Sequence, residues 1–390
     1  MLSQNLNPVR DTVVVDKVTY LTLSDIHLGH NLNKTNEIIN NLHNYFKLNY
    51  ELIKNLDIIF LAGDVFDKLL VNNSDEYHLA IRWLLELVNI CKARNIKLRI
   101  LEGTPSHDWK QSKLVYTIID NFKIDIDFKY VDTLYIEIIE KYGITILYIP
   151  DEYKHTASET YDDVLNLMKE NNLSKVDICI MHGQFNYQLP MVKLACTHTE
   201  ELYLNIVKYF ISVGHIHSAS VYQRIVAQGS FDRLAHNEEE DKGAMLFTIY
   251  KDGKCEYQFI KNKDAKTFIT YDMRDMDTKD ITKYLDKEIK KLRPKSYVRL
   301  IATKEQHIKR NVEDFKNKYM DIYIKIEEKT IDNTKVTSII NNDKPVLESL
   351  QINKSNIKEL LAKELVKHNL TVNDLLIINK ELDMCIDKVS

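Results

Sequence analysis

Short apolar runs that stop abruptly on polar residues dominate the first two thirds of the chain. Val18–Leu23 is β-branched, aromatic-rich and uncharged, the pattern of a buried strand, and it runs into Ser24-Asp-Ile-His-Leu-Gly-His30. Asp57–Ala62 repeats the pattern and ends in Gly63-Asp-Val-Phe-Asp67, and Lys97–Leu101 leads to Gly103-Thr-Pro-Ser-His-Asp-Trp109. Val176–Met181 ends in His182-Gly183, and Tyr209–Val213 in Gly214-His-Ile-His217. Between these runs, apolar positions fall at helical spacing over Lys34–Asn55, Asp75–Arg94 and Glu159–Asn171. Two stretches rich in β-formers, Tyr130–Ile139 and Ile144–Ile149, predict a meander. Strand, polar tip and helix in alternation predict an α/β fold. Open α/β sheets place ligands in the crevice at strand C-termini.

The texture changes near Lys266. Thr267–Met273, Tyr297–Thr303 and Asp321–Lys329 read as strands, the last with Ile322, Ile324 and Ile326 alternating. Helical stripes lie between them, over Thr278–Arg293 and Lys304–Asn317, which makes a small βαβαβ unit. Thr330–Pro345 is polar and aperiodic, a linker, and Ile357, Leu360, Leu361 and Leu365 mark an amphipathic helix beyond it. The expected division is a first domain over 1–262, a second over 263–330, and a linker with C-terminal helices over 331–390.

Composition narrows the class. The 390 residues are 44% hydrophobic and 28% charged, as in ordinary globular proteins, and the net charge of −4 requires that any nucleic-acid contact be a local patch. Lys287–Lys295 is one candidate patch, although a solvated helix face explains it equally simply. The five cysteines form no Cys-x-x-Cys pair, which fits reduced thiols. The first ten residues are polar and no apolar run approaches a membrane span, so a soluble cytoplasmic protein with no membrane partner is expected.

The strand tips collect Asp25, His27, Asp64, Asp67, His107, His182, His215 and His217. Imidazole mixed with carboxylate suits manganese, iron or zinc better than calcium or magnesium. A carboxylate such as Asp64 can bridge two ions, and an ion pair can activate water against a phosphate ester without a covalent intermediate. The chain has neither a P-loop nor a Gly-x-Ser-x-Gly elbow. Taken singly, His182, His215 and His217 fit satisfied core histidines. Falling at successive strand ends, they fit ligands better. Asp67 fits a helix N-cap as well as an active-site role. His30 and His198 read as loop residues, and Asp108 as a group that orients a neighbour.

Ser-Asp-Ile-His-Leu-Gly-His, Gly-Asp-Val-Phe-Asp, Ser-His-Asp after a glycine, Met-His-Gly-Gln-Phe and Gly-His-Ile-His, in that order, resemble the motifs of the calcineurin-like metallophosphoesterases. The resemblance is closest to the SbcD-type double-strand-break repair nucleases of bacteria and phages. Gln228–Ala244 is similar to the segment that closes their nuclease domain, the βαβαβ unit to their DNA-capping domain, and the tail to their partner-binding helices. The resemblance implies a layered α/β nuclease domain holding two divalent ions, Mn²⁺ foremost and Mg²⁺, Fe²⁺ or Zn²⁺ as alternatives. It assigns Asp25, His27, Asp64 and His217 to the first ion, and Asp64, His182, His215 and Ser106 to the second. Ser106 stands where the family has asparagine. His107 would be catalytic, with Asp67 beside it in the active site. The implied activity is exonuclease and endonuclease hydrolysis of double-stranded DNA ends and hairpins in repair, recombination or replication. The implied assembly is a homodimer that binds an SbcC-type, SMC-like ATPase through its C-terminal helices, in the cytoplasm of a bacterium or an infected host. The competing readings are a phosphoesterase for small molecules or phosphoproteins, and a catalytically silent scaffold.

Overall fold

Each apolar run becomes a strand, and the strands sort into two sheets. The computed structural model describes residues 16–189, 196–308 and 312–329. The first sheet has the spatial order Cys255–Lys261, Gly243–Tyr250, Lys17–Leu23, Ile58–Ala62, Lys97–Leu101, Phe128–Val131. Its last four strands are parallel; Gly243–Tyr250 pairs antiparallel with Lys17–Leu23 and Cys255–Lys261 antiparallel with Gly243–Tyr250 at one side. The second sheet runs Ser220–Tyr222, Ile225–Ala227, Val207–Gly214, Val176–His182, Ile144–Ile149, Tyr135–Ile139. Its four inner strands are parallel and its two edges antiparallel.

The two sheets face each other. Tyr20, Phe60 and Phe247 of the first share one buried cluster with Tyr148, Ile178, Ile180 and Phe210 of the second. Alternate residues point the other way. Leu21, Leu23, Ile59 and Leu61 meet Ile38, Leu42, Trp83, Leu84 and Val115 of the helices Thr35–Leu48, Asp75–Arg94 and Lys113–Asn121. On the far side, Leu147, Cys179, Met181 and Ile211 meet Val164 and Met168 of the helix Ala157–Glu170 and Tyr203 and Leu204 of the helix Glu200–Ile206. The order is helix, sheet, sheet, helix. Strands buried on both faces have no polar side, which is why they read as unbroken apolar runs.

A buried ion pair crosses the sandwich. Arg99, 2% exposed, donates to both carboxylate oxygens of Glu137 at 2.9 and 2.8 Å, and the Tyr148 hydroxyl donates to Glu137 at 2.7 Å. Arg99 belongs to the first sheet and Glu137 to the second, so a satisfied ion pair ties the layers together.

The run Tyr130–Ile139 is two strands rather than one. Phe128–Val131 ends the first sheet, and Tyr135–Ile139 begins in the second. Apolar content marks both halves as strand and says nothing of which sheet each half joins. Helix ends follow local chemistry. The Ser74 hydroxyl caps Asp75–Arg94 by accepting from Tyr77 N, and Thr156 with Glu159 forms a capping box for Ala157–Glu170.

The strands Phe268–Asp272, Tyr297–Ala302 and Tyr323–Glu328 form a parallel three-stranded sheet, connected through the helices Thr278–Ile289 and Val312–Lys318. It has its own core of Met273, Ile281, Leu285, Val298 and Leu300. The small sheet and the two large ones belong to one compact unit that reaches Ile331. The basic run Lys287–Lys295 is largely paired: Lys291 with Glu288, Arg293 with Asp264, Lys295 with Glu37. The expected C-terminal helices lie outside the described residues. Among the described residues no helix is long and apolar enough to cross a membrane.

Candidate metal centre

Three adjacent parallel strands of the first sheet, Lys17–Leu23, Ile58–Ala62 and Lys97–Leu101, deliver Asp25 with His27, Asp64 with Asp67, and Thr104 with His107 to one edge. Two adjacent strands of the second sheet, Val176–His182 and Val207–Gly214, bring His182, His215 and His217 to the same place. Their ligand atoms gather into three overlapping groups: Asp25, His27 and His217; His27, Asp64 and His107; Asp64, His182 and His215. His27 joins the first two groups and Asp64 the last two, so the set is continuous through Asp64.

The donor set could hold a metal ion. His27 Nε2 and His217 Nε2 face each other at 3.1 Å, and His182 Nε2 is 3.3 Å from Asp64 Oδ1. His182 is fully buried and donates its other ring nitrogen, Nδ1, to the Ala62 carbonyl at 2.8 Å. That bond leaves Nε2 aimed into the cluster, with no aligned hydrogen-bond partner among the described residues. A buried ring nitrogen so placed, 3.3 Å from Asp64 Oδ1, calls for a cation between the two, a proton or a metal ion.

The backbone is bent to make this arrangement. Asp25, His27, Asp64 and His215 all have positive φ, at 51, 53, 50 and 101°. Residues with a Cβ avoid that region, at roughly 1–3 kcal/mol each, and hold it where the surroundings over-determine it. The surroundings here are hydrogen bonds. The buried Asp108 carboxylate accepts from the backbone N–H of Gly103 at 2.7 Å, Phe66 at 2.8 Å and Asp64 at 3.1 Å. The Asp25 carboxylate accepts from His215 N at 3.0 and 3.1 Å. Space is equally tight: a Cβ on Gly63 would lie 2.1 Å from His182 Nδ1, and one on Gly103 2.1 Å from Asp64 N.

Charges are matched in opposite pairs. Burial opposes ionisation of Asp64, but His182, His107 and His27 outweigh it and hold the carboxyl far below its usual range. Burial disfavours the His182 cation, and Asp64 and Asp25 overcome that and raise its pKa. His107 is raised by its 2.8 Å contact from Nδ1 to Asp64 Oδ2. Burial and Glu238 oppose each other at His217, and Glu238 prevails through a 2.8 Å contact at Nδ1, its own carboxyl held at about 2.

Three expectations need correction. Ser106 does not join the cluster: Pro105 opens a helical turn, Pro105–Asp108, on which Ser106 is exposed. Its carbonyl accepts from Trp109 Nε1 at 2.7 Å. Thr104, two residues earlier and buried, takes the place beside Asp64 instead, with its N–H donating to Asp64 Oδ1 at 2.6 Å. His198 is no loop residue but lies buried in the short strand Thr197–His198, with Nδ1 3.0 Å from the Tyr203 hydroxyl. Asp67 caps no helix, since Ser74 caps the one that follows. It stands 3.1 Å from His27 Nδ1, out of hydrogen-bond alignment. His30 does sit in a loop, accepting at Nδ1 from Leu32 N and Asn33 N.

Sequence reading missed Thr104, Asp151 and Glu238. Asp151 follows Ile144–Ile149 and Pro150, so the strand-tip rule that found the others could have found it. Glu238 lies at no strand tip, and nothing local announced it.

No family model and no curated protein matches this chain. Among the solved structures that match, one is similar at 13% identity and a TM-score of 0.38, over 63% of this chain and 100% of its own, a likeness too slight to carry any argument.

Proposed function

We propose that this protein is a metal-dependent phosphodiesterase acting on DNA, a nuclease of the SbcD type. The observation that carries the reading is the convergence of Asp25, His27, Asp64, His182, His215 and His217 from both sheets on one cluster, with the half-exposed His107 at its rim. The order helix, sheet, sheet, helix accords with the layering that the motif resemblance implies. Two divalent ions, Mn²⁺ foremost, would be held there, one by Asp25, His27, Asp64 and His217, the other by Asp64, His182 and His215. Bound ions supply a nucleophile at neutral pH and neutralise charge on the attacked phosphoryl group.

The chain's own groups do the rest. His107, its pKa raised by Asp64, is placed to donate a proton to the leaving oxygen or to stabilise its charge. Glu238 fixes the tautomer of His217, so that Nε2 faces the cluster. Asp108 holds the loops that carry Asp64 and Gly103. DNA is the substrate because a second sheet unit with its own core lies beside the phosphoesterase sheets, which a small substrate does not require. A homodimer and an SbcC-type ATPase partner complete the proposed assembly.

The test is cleavage of linear and hairpin duplex DNA by metal-stripped protein titrated with Mn²⁺, with phosphate mono- and diester chromogenic substrates in parallel. Mn²⁺-dependent cleavage of DNA and of the diester is expected. Turnover of the monoester alone would move the reading to a small-molecule or phosphoprotein phosphatase, and silence with every metal to a scaffold.

A further inference from the structure

The third motif lacks the asparagine that the metallophosphoesterase resemblance leads one to expect, and the structure shows what stands nearby. We propose that Asp151, together with Thr104, completes the ligand shell of the second ion, a proposal that rests on the metal-dependent reading above. Asp151 follows the strand Ile144–Ile149, the neighbour of Val176–His182 in the second sheet, so it enters the cluster from the same edge as His182. Its side chain is 10% exposed. Oδ1 accepts from Glu152 N at 3.0 Å, and Oδ2 is turned toward the cluster.

The spacing of the donors argues for one shared cation. Asp151 Oδ2 lies 3.0 Å from Thr104 Oγ1 and 3.3 Å from His215 Nδ1. Thr104 Oγ1 lies 3.3 Å from Asp64 Oδ2 and 3.4 Å from His215 Nδ1. Asp64 Oδ1 lies 3.3 Å from His182 Nε2. Neighbouring ligands of a six-coordinate ion at about 2.1 Å are separated by that distance times the square root of two, about 3.0 Å. Each of these neighbouring pairs has the separation of adjacent ligands, slightly expanded; Thr104 Oγ1 now donates to Asp151 Oδ2, and Asp151 stands outside the group Asp64, His182 and His215, so it would close in on a bound ion. Burial opposes ionisation of Asp151, but His215 Nδ1 holds its carboxyl below the usual range, so the two groups are electrostatically paired at the cluster. The fully buried, unpartnered His182 Nε2 points to the same place.

The exchange changes the chemistry of the site. A neutral amide is replaced by a carboxylate and a hydroxyl, so Asp151 adds a full negative charge to the share that bridging Asp64 gives the second ion. The second site then favours hard, oxygen-seeking ions such as Mn²⁺ over Zn²⁺, and is not the weakened site that loss of asparagine alone would leave. Asp151 also lines a cavity of about 660 Å³ with Gly103, Pro105, Ser106, Trp109 and Tyr153, so the carboxylate stands between the cluster and an open cleft.

The experiment is Mn²⁺ calorimetry on metal-stripped full-length protein, as parent, Asp151→Asn, Asp151→Ala and Thr104→Val, with a Mn²⁺-soaked parent crystal read by anomalous scattering. The parent should bind two ions. Asp151→Ala should weaken one by more than the 10–100-fold typical of an outer-shell partner and leave the other within about threefold, with Asp151→Asn in between. In the crystal an ion should sit about 2.1–2.3 Å from Asp151 Oδ2, between the Mg²⁺ and Ca²⁺ ranges. If Asp151→Ala fails to fold, Asp151→Asn and the parent crystal decide. Two ions with unchanged affinities in the variants, or an ion beyond ligand distance of Asp151, overturns this assignment and leaves the metal reading standing. A parent that binds no divalent ion overturns both.

Discussion

Asp108 touches no proposed ion, yet its loss should damage the centre more than most changes around it. Its carboxylate, 1% exposed, is the acceptor for the N–H groups of Asp64, Phe66 and Gly103. Asp108→Ala strands all three, and a buried unsatisfied N–H costs about 1–3 kcal/mol, so the gross loss is roughly 3–9 kcal/mol. Two effects reduce it. Water can enter the space left behind. Burial, with Asp64 and Glu102 nearby, already pushes the Asp108 carboxyl well above its usual range, so removing it also relieves a strained charge. A net loss of about 3–5 kcal/mol is expected for Asp108→Ala, and about 1–3 kcal/mol for Asp108→Asn, which keeps one acceptor oxygen. Urea unfolding of metal-free protein at pH 7 measures both. Because Asp108 fixes the left-handed backbone at Asp64, Mn²⁺ affinity should also fall by about 10–100-fold. An Ala variant no less stable than the Asn variant, with metal affinity unchanged, would refute the role given to these three hydrogen bonds.

His107→Ala should leave Mn²⁺ binding intact and lower the cleavage rate by about 10²–10⁴-fold; loss of metal in calorimetry would instead make the imidazole a ligand. Burial holds the His198 imidazole down at about 4, so between pH 4 and 6.5 the unfolded chain takes up a proton that the folded chain refuses. Stability from this residue is complete above pH 6.5 and falls by roughly 3 kcal/mol on acidification to pH 4. His198→Phe should lack that component, and unfolding curves that stay parallel to the parent's from pH 7 to 4 contradict it. Glu137→Ala leaves the Tyr148 hydroxyl without its acceptor and Arg99 with Asp127 at 2.6 Å as its remaining carboxylate. The cost should therefore fall below the roughly 3–5 kcal/mol of a fully broken buried pair, whereas replacing Arg99 and Glu137 together by methionine and leucine should recover most of it. Thermal melts of the two variants settle the comparison.

Much of this molecule is written locally. The helix Asp75–Arg94 and the strands Lys97–Leu101 and Ile144–Ile149 occupy the residues that periodicity assigns them, because burial on one helical stripe or on both sheet faces leaves an unmistakable apolar trace. The Asp and His residues at the strand tips were legible for the same reason: polar side chains that end an apolar run stand out. What needed the tertiary structure is whatever depends on which strand lies beside which. Asp132 and Thr133 mark the break within Tyr130–Ile139, but no local pattern sends its two halves to different sheets. Ser106 sits in the right motif, but the turn begun by Pro105 leaves it exposed, and Thr104 stands beside Asp64. Asp151 meets His215 and Thr104, and Glu238 meets His217, across long stretches of chain. Sequence determines which side chains arrive at the edges of sheets, because that depends on runs of a few residues. Which of them meet is decided only when the two sheets pack face to face and the backbone bends into left-handed turns to bring their tips together.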